Sequence, residues 1–429
     1  MPAMSEHLRK AVEDRRDEVV ALTQALVRFP TVNPPGDAYG PCAEFIAKRL
    51  HRSGYETRLI VAEGEPGHTD RFPRVNVIAR REGRAPGKTV HFNSHIDVVE
   101  AGHGWSVDPF EGVIRDGKVF GRGTCDMKGG LATSIIAADA FIETFPDYSG
   151  AIEISGTVDE ESGGYAGVGH LAKQGLFSRP RVDHVIIPEP LNKDRICLGH
   201  RGVWWAEIET HGRIAHGSMP FLGDCAVRHM GAVLAAFEHD LFPALAARRT
   251  DMRVVPDGAR ASTLNINAIH GGQTDDHTGL PSPNVPDRCA MTIDRRFLLE
   301  ESLDDVKAEV VAILDRLRRE RPGFAYAIRD VMEVLPTMTE RDAPVVTAVA
   351  AAIEAEFGRA PDYVISPGTY DQKHIARIGH LHDCIAYGPG ILDLAHQPDE
   401  WIGIDDMVQS AHVMAAAIHG LLTGAAEPA

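Results

Sequence analysis

The stretch Ala151-Ile-Glu-Ile-Ser-Gly-Thr-Val158-Asp-Glu160-Glu161-Ser-Gly-Gly164 decides the fold, because a largely apolar run of strand length ends directly in three consecutive acids and a glycine pair. Short apolar runs bounded by turn residues read as strands buried on both faces, the pattern of a central strand in an α/β layer. Adjacent carboxylates at a buried strand end repel one another, so either protons or cations must hold them together. Taken alone, the same acids also read as a solvated turn.

Working outward, His184–Ile187 is a second buried strand and runs straight into Pro188-Glu189-Pro190. Upstream, Thr57–Ala62, Arg74–Ala79 and Thr89–Ile96 are β-rich runs that read as neighbouring strands, and Met127–Phe141 reads as a buried helix of small residues. The spacing of Leu8, Val12, Val19, Leu22, Leu26 and Val27 predicts one helix from Ser5 to Phe29, stopped by Pro30. A second helix is expected over Pro41–Ser53. Strands alternating with helices in this way indicate an α/β layer architecture.

Beyond Leu198 the pattern changes. Val203–Thr210 alternates as a half-exposed strand, and Gly212-Arg-Ile-Ala-His216-Gly-Ser-Met-Pro220 leads into an Ala-rich helix. A strand Ser262–Ile269, a turn-rich loop Gly271–Pro286, a strand Ala290–Phe297, a charged helix Ser302–Arg319 and a strand Phe324–Val331 complete a βαββαβ module of α+β type. After Ala343 the earlier signals resume. Residues 1–200 and 334–429 are therefore expected to form one α/β domain, with 201–333 inserted in it.

A chain of 429 residues exceeds what one core normally organises, which agrees with two domains. The formal charge of −17, with no compensating Lys/Arg cluster, disfavours nucleic acid as a partner. Cys42, Cys125, Cys197, Cys225, Cys289 and Cys384 are scattered without a C-x-x-C pair, as expected for reduced thiols in a cytosol. The charged N-terminus lacks the apolar core of a signal peptide, and no run reads as long enough to span a membrane. A cytoplasmic protein with no membrane partner is the expectation.

The chemistry-bearing residues sit at strand ends and in loops. His95 and Asp97 are two apart at the end of a predicted strand, so both point to one face, where one can bind a metal while the other orients it. In Gly121-Arg-Gly-Thr-Cys-Asp126-Met-Lys-Gly-Gly130 the glycines are spaced like a dinucleotide loop, but Asp126 occupies the third glycine position and would repel a pyrophosphate. Asp126 alone also reads as the N-cap of the following helix. Glu160, Glu161, Glu189 and His396, the last within Ala395-His396-Gln-Pro-Asp-Glu400, complete the set. Two His, a lone Asp and three Glu supply donors for two metal sites sharing a bridge. Such mixed ligands suit zinc, manganese or cobalt and leave coordination open for water and substrate.

In order, H-x-D, G-R-G-x-x-D-M-K-G, D-E-E-S-G-G, P-E-P and A-H-x-P-D-E resemble the M20 family of dinuclear metallohydrolases, over nearly the whole chain. The resemblance implies a mixed-sheet α/β catalytic domain with an inserted α+β dimerisation or lid domain, and two divalent metals, zinc foremost. His95 and Glu189 would hold one metal, Glu161 and His396 the other, and Asp126 would bridge them. Asp97 would orient His95, Glu160 would be the general base, and the Asp126–Met127 peptide would be cis. Asp159 is assigned no role. His216 would reach an active site, often that of the other subunit of a homodimer, and help stabilise the oxyanion. Asn284 and Arg296 match positions that bind the substrate carboxylate. Arg295 competes with Arg296, although strand alternation points it the other way. Gly368-Thr-Tyr-Asp371 resembles a G-x-S-D segment of the family, from which Thr369-Tyr370 departs.

The implied reaction is hydrolysis of an amide C–N bond in a small carboxylate-bearing molecule such as an N-acyl amino acid. An aminohydrolase releasing ammonia from an aromatic amine such as an aminobenzoate is the rival, with Trp204, Trp205 and Tyr370 as aromatic groups, although core or dimer packing accounts more simply for the tryptophans. A non-catalytic binding protein on the same fold would lack some of these ligands, and none is missing.

Overall fold

The computed structural model describes residues 6–272 and 283–423. The chain divides into two compact units, Met1–Gly199 with Met338–Val364 and Tyr370–Ala429, and His200–Thr337 with Ile365–Thr369.

In the first unit, helices α1 (Glu6–Glu13), α2 (Arg16–Val27) and α3 (Tyr39–Arg52) precede strands β1 (Glu56–Val61), β2 (Val75–Glu82) and β3 (Ala85–His95). The expected single N-terminal helix is thus two. The chain turns at Asp14–Arg15, where the Arg15 guanidinium donates to the Ala11 carbonyl at 2.7 Å and so satisfies one of the carbonyls exposed by the break. A short hairpin of β4 (Val113–Arg115) and β5 (Lys118–Phe120) leads through a tight turn, Thr124–Lys128, into the buried helix α4 (Gly129–Thr144). Then follow β6 (Ser149–Thr157), α5 (His170–Lys173), β7 (His184–Ile187) and β8 (Arg195–His200).

The second unit is built from β9 (Gly202–His211), α6 (Ala226–Ala236), α7 (Phe242–Ala247), β10 (Thr263–Gly271), β11 (Arg288–Phe297), α8 (Leu303–Glu320) and β12 (Ala325–Val334). Its antiparallel sheet has the order β10-β11-β9-β12. Alternate β9 and β11 residues, Trp204, Ala206, Ile208, Met291 and Ile293 among them, bury one face under Met230, Val233, Phe237, Val306, Val310 and Leu314. Ser302 starts α8 by accepting the Asp305 amide at 3.1 Å, an N-cap that satisfies one of the helix's free donors. Contrary to the expectation that no run is long enough, Ala226–Ala247 is 22 residues of helix apolar enough to cross a membrane. Its apolar residues Ala226, Met230, Val233, Phe237, Leu241 and Leu245 belong to this core instead. Of the turn-rich loop, 273–282 lie outside the described residues.

Strands β13 (Thr337–Met338), β14 (Asp362–Ser366), β15 (Cys384–Ala386) and β16 (Trp401–Gly403), with α9 (Pro344–Phe357), α10 (Gln372–Arg377) and α11 (Ile404–Thr423), complete the chain. A mixed sheet runs β1-β2-β6-β3-β7-β15-β8-β13, with β14 also on β8, and β16-β5-β4 form a small separate sheet. Strands β6, β3, β7 and β15 are mutually parallel. β3 is not beside β2, as the sequence suggested, because β6 lies between them. After β2 the chain crosses under the start of β6, with the Gly83 and Arg84 amides donating to Gly150 and Tyr148 carbonyls at 2.7 Å each. A Cβ at Gly83 would stand 2.3 Å from the Tyr148 carbonyl oxygen, so only glycine fits this crossing.

Candidate metal centre

The parallel core strands deliver their carboxyl ends to one edge, where ligand sites of α/β sheets gather. β3 ends in His95, β6 ends at Thr157 just before the acids, and β7 ends at Ile187 two residues before Glu189. The register sets His95 opposite Thr157, so the histidine and the acid turn are neighbours.

Two clusters result, His95 with Asp126 and Glu189, and Asp126 with Glu161 and His396, each with its donor atoms within 4.8 Å of one another. His95 Nε2 lies 3.1 Å from Asp126 Oδ1 and 4.0 Å from Glu189 Oε1. His396 Nε2 lies 3.1 Å from Glu161 Oε1 and 3.5 Å from Asp126 Oδ2. Asp126 therefore turns one oxygen to each cluster. The Asp126–Met127 peptide is cis.

The electrostatics show what the cluster lacks. Burial, reinforced by the Asp126 charge, pushes the Glu161 carboxyl up to about 7 and Glu189 well above the usual carboxylate range. Hydrogen bonds to Asp126 and Glu161 raise His396 to about 10. Burial opposes charge on His95, but Asp126 and Asp97 override it and hold the ring well above its ordinary value. Burial likewise opposes the Asp126 charge, and His396 and His95 outweigh it to keep that carboxyl low. Excess negative charge is thus relieved only by binding protons. Imidazole and carboxylate donors in two groups of three, sharing one carboxylate, fit two divalent cations.

The surrounding residues fix this geometry. His95 Nδ1 bonds to the Asp97 main-chain carbonyl at 3.0 Å, while the Asp97 carboxylate stands 3.6 Å away. That carboxylate, fully buried, accepts the amides of Glu160 and Glu161 at 3.2 and 3.1 Å and the Asn33 side-chain amide at 3.1 Å. Asp97 therefore orients the acid turn more directly than it orients the imidazole. Asp159, to which the sequence assigned no role, adopts the left-handed φ of +62° that starts the turn. Its carboxylate is held by Arg74 Nε and the Tyr39 hydroxyl, both at 2.8 Å. No sequence signal links Arg74 to Asp159. Glu400 belongs to the same motif as His396. It is fully buried, and its Oε1 accepts the amides of Gly123, Cys125 and Asp126 at 3.0, 2.8 and 3.0 Å, while Oε2 pairs with Arg122 at 2.6 Å. Glu160 lies on the turn outside both clusters, with Oε1 3.1 Å from Lys373 Nζ.

In the second unit, an isolated β-bridge pairs His216 with Asn284. The exposed His216 accepts the Ser218 amide at Nδ1, 3.2 Å away. The ring proton of the neutral form is therefore on Nε2, which is left as a donor. Arg296 is held by Asp294, through contacts of 2.7 and 3.0 Å, and stays partly exposed. Arg295 is buried against Glu301 at 2.7 Å. Trp204 is in the core, donating to Asp330 at 2.7 Å, Trp205 is half-buried, and Tyr370 is buried in the first unit with its hydroxyl on Gln372.

An α/β fold with a two-cluster acidic site at the strand ends defines a metallohydrolase class. Residues 91–420 match the family model for peptidase family M20/M25/M40, and the chain belongs to that family. It is a metal-dependent hydrolase acting on C–N bonds. The succinyl-diaminopimelate desuccinylase of Polynucleobacter necessarius subsp. necessarius (strain STIR1) is 28% identical over 410 residues, covering 94% of this chain and 98% of that one. Human carnosine dipeptidase 1 superposes with a TM-score of 0.76 at 20% identity, over 98% of this chain and 99% of that one. The Bacillus subtilis YXEP protein, a dinuclear metal-binding peptidase of the M20 family, superposes with a TM-score of 0.66 at 14% identity, over 95% and 99%.

Proposed function

We propose that the protein hydrolyses the amide C–N bond of a small N-acyl amino acid or related carboxylate-bearing metabolite, in the manner of the desuccinylases it resembles. The observation that carries this reading is the shared carboxylate of Asp126, with Glu160 on the adjoining turn but outside both clusters.

His95, Glu189 and Asp126 would hold one cation, and Glu161, His396 and Asp126 the other. Bound there, the cations would polarise the scissile carbonyl and acidify the attacking water. Glu160 receives the proton from that water and returns it to the departing nitrogen, which would otherwise leave as a poor amide anion. By the same resemblance, His216 of the second unit, read as the inserted dimerisation or lid module, would donate through Nε2 to the developing oxyanion of an active site, in cis or across a homodimer. Asn284 and Arg296 hold the substrate carboxylate, and Arg295, buried on Glu301, is not available for that task.

A mass-spectrometric screen of N-succinyl and other N-acyl amino acids, dipeptides and aminobenzoates tests the substrate class. Release of a carboxylic acid supports the amide reading, whereas release of ammonia from an aromatic amine replaces it with the aminohydrolase one. Chelation should abolish turnover, and zinc, cobalt or manganese should restore it. Glu160→Ala should keep both metals and lose at least about 10²-fold in rate.

A further inference from the structure

Glu160 has an unusual companion. Lys373, on α10, is 2% exposed and its ammonium lies 3.1 Å from Glu160 Oε1. A buried lysine needs a partner to offset its desolvation, and two carboxylates supply it here, Glu160 and Asp371. Asp371, two residues earlier, is itself 1% exposed.

Asp371 is anchored to the strands that lead into the metal centre. Its Oδ2 accepts the Asn93 amide at 2.9 Å and the Thr157 hydroxyl at 3.4 Å. Asn93 is two residues before His95 on β3, and Thr157 is the last residue of β6, just before the acid turn. Asn93 is braced in turn by Ser155, whose hydroxyl donates to Asn93 Oδ1 at 2.8 Å. The same short helix holds the turn at a further point, since the His374 ring bonds to the Gly163 carbonyl at 2.7 Å. Burial lowers His374 to about 4, which keeps the ring neutral and lets Nε2–H donate there. The Gly164 position tolerates no side chain, because a Cβ would stand 2.8 Å from Asp371 Oδ1.

We propose that Lys373, backed by Asp371, is a positioning residue that occupies Oε1 of Glu160 and locks the carboxylate in one orientation, leaving Oε2 to exchange the proton. A free glutamate side chain samples several rotamers, and only some of them present an oxygen to the water. The ammonium removes that freedom at the atom not used in the transfer. The alternative is that Lys373 merely neutralises buried charge and fills space.

This inference rests on the assignment of Glu160 as the base, and the variants separate the two. Steady-state kinetics would be measured on zinc-loaded enzyme with N-succinyl-diaminopimelate or, if that is not turned over, with the fastest N-acyl amino acid of the screen, alongside metal content by mass spectrometry. Lys373→Met is expected to lose about 10- to 10²-fold in kcat with little change in KM and both metals retained. Lys373→Arg, which keeps a cation that can donate to Oε1, should recover part of that loss. In a Glu160→Gln background, Lys373→Met should leave the residual kcat unchanged within about two-fold, because there is no longer a carboxylate to position. Wild-type kcat in Lys373→Met, an equal loss in the Glu160→Gln background, or a rise in KM alone would overturn the proposal while leaving the base in place. Wild-type turnover by Glu160→Gln would instead remove the base assignment itself. If Lys373→Met does not fold, Lys373→Leu, which likewise has no donor for Oε1, decides the same question. A crystal structure of either variant should show Glu160 in more than one rotamer, and a single unchanged rotamer would count against the proposal.

Discussion

Glu400→Ala tests whether one buried carboxylate holds the bridging loop. Glu400 Oε1 is the acceptor for three successive-loop amides, those of Gly123, Cys125 and Asp126, and Oε2 faces the guanidinium of Arg122, which is itself 1% exposed. Truncation leaves three donors and a cation without their acceptor. Breaking a buried ion pair on one side costs about 3–5 kcal/mol. Each orphaned amide adds about 1–3 kcal/mol if it stays buried. These losses do not add, because the groups share one partner. Arg122 also keeps weaker acceptors, the carbonyls of Glu100, Ala101 and Gln397 at 3.3–3.4 Å. A net loss of about 4 kcal/mol is expected, which for a unit of this size is roughly 10 °C in Tm. The specific signature is in the metals. Because the loop carries Asp126, and Asp126 faces both clusters, both sites should weaken together, seen as loss of both equivalents on dialysis against a mild chelator. Glu400→Gln keeps an oxygen for the amides but places an amide N–H₂ against Arg122, and should fall between wild type and Glu400→Ala. A Glu400→Ala protein with unchanged Tm and two retained metals would refute the reasoning.

Asp126→Asn should cost both metals, whereas Glu189→Gln should weaken one site preferentially, which stoichiometry by metal analysis will distinguish. Metal affinity should rise with pH from about 5 upward, because cations must displace the protons held by His396, raised to about 10, and Glu161, raised to about 7. A pH-independent affinity in chelator competition would contradict the cluster's charge balance. The metal-free protein should lose stability as pH rises. A Glu161 carboxyl raised above its unfolded value makes the folded state bind more protons between about 4.5 and 7, so folding weakens across that window. His396 acts in the same sense, contributing fully below its unfolded value of about 6.5 and losing that contribution as pH rises through about 10. Thermal melts of chelated protein from pH 5 to 9 measure both, and metal loading should reverse the trend.

What could be read in the sequence follows the range of the interactions involved. β7 and the core of β6 are legible because a buried strand writes its own apolar run, and the helix of Leu303–Glu320 because Ser302 and a 3.6-residue repeat mark it. The break between α1 and α2 is not legible, since the apolar spacing continues through Asp14–Arg15 and only the Arg15 side chain shows where the chain turns. The order of β2, β6 and β3 is hidden for a related reason. The runs Arg74–Ala79 and Thr89–Ile96 are adjacent in sequence, and what separates the strands is a later segment, β6, which begins more than fifty residues after the second run.

The candidate site divides along the same line. His95, Asp126, Glu161, Glu189 and His396 are recognisable because each stands beside local features, a strand end, a glycine pair or a proline, that bring unlike donors to one edge. Arg74, Glu400 and Lys373 are not, because each acts on a partner 85, 274 and 213 positions away, and in isolation each is an ordinary charged residue. Yet Arg74 and Lys373, with the Arg122 that faces Glu400, are the groups that let acids sit buried at the strand ends. Asp159 is matched by Arg74 and Glu400 by Arg122, while Lys373 answers Glu160 and Asp371 together. Among the described residues the carboxylates of the two clusters have no lysine or arginine assigned in this way, only the two imidazoles. That difference is a physical argument for cations at Asp126, independent of any resemblance, since Asp159, Glu400 and Glu160 each face a guanidinium or ammonium and Asp97 is held by three amides, whereas the carboxylates of the two clusters share only imidazoles.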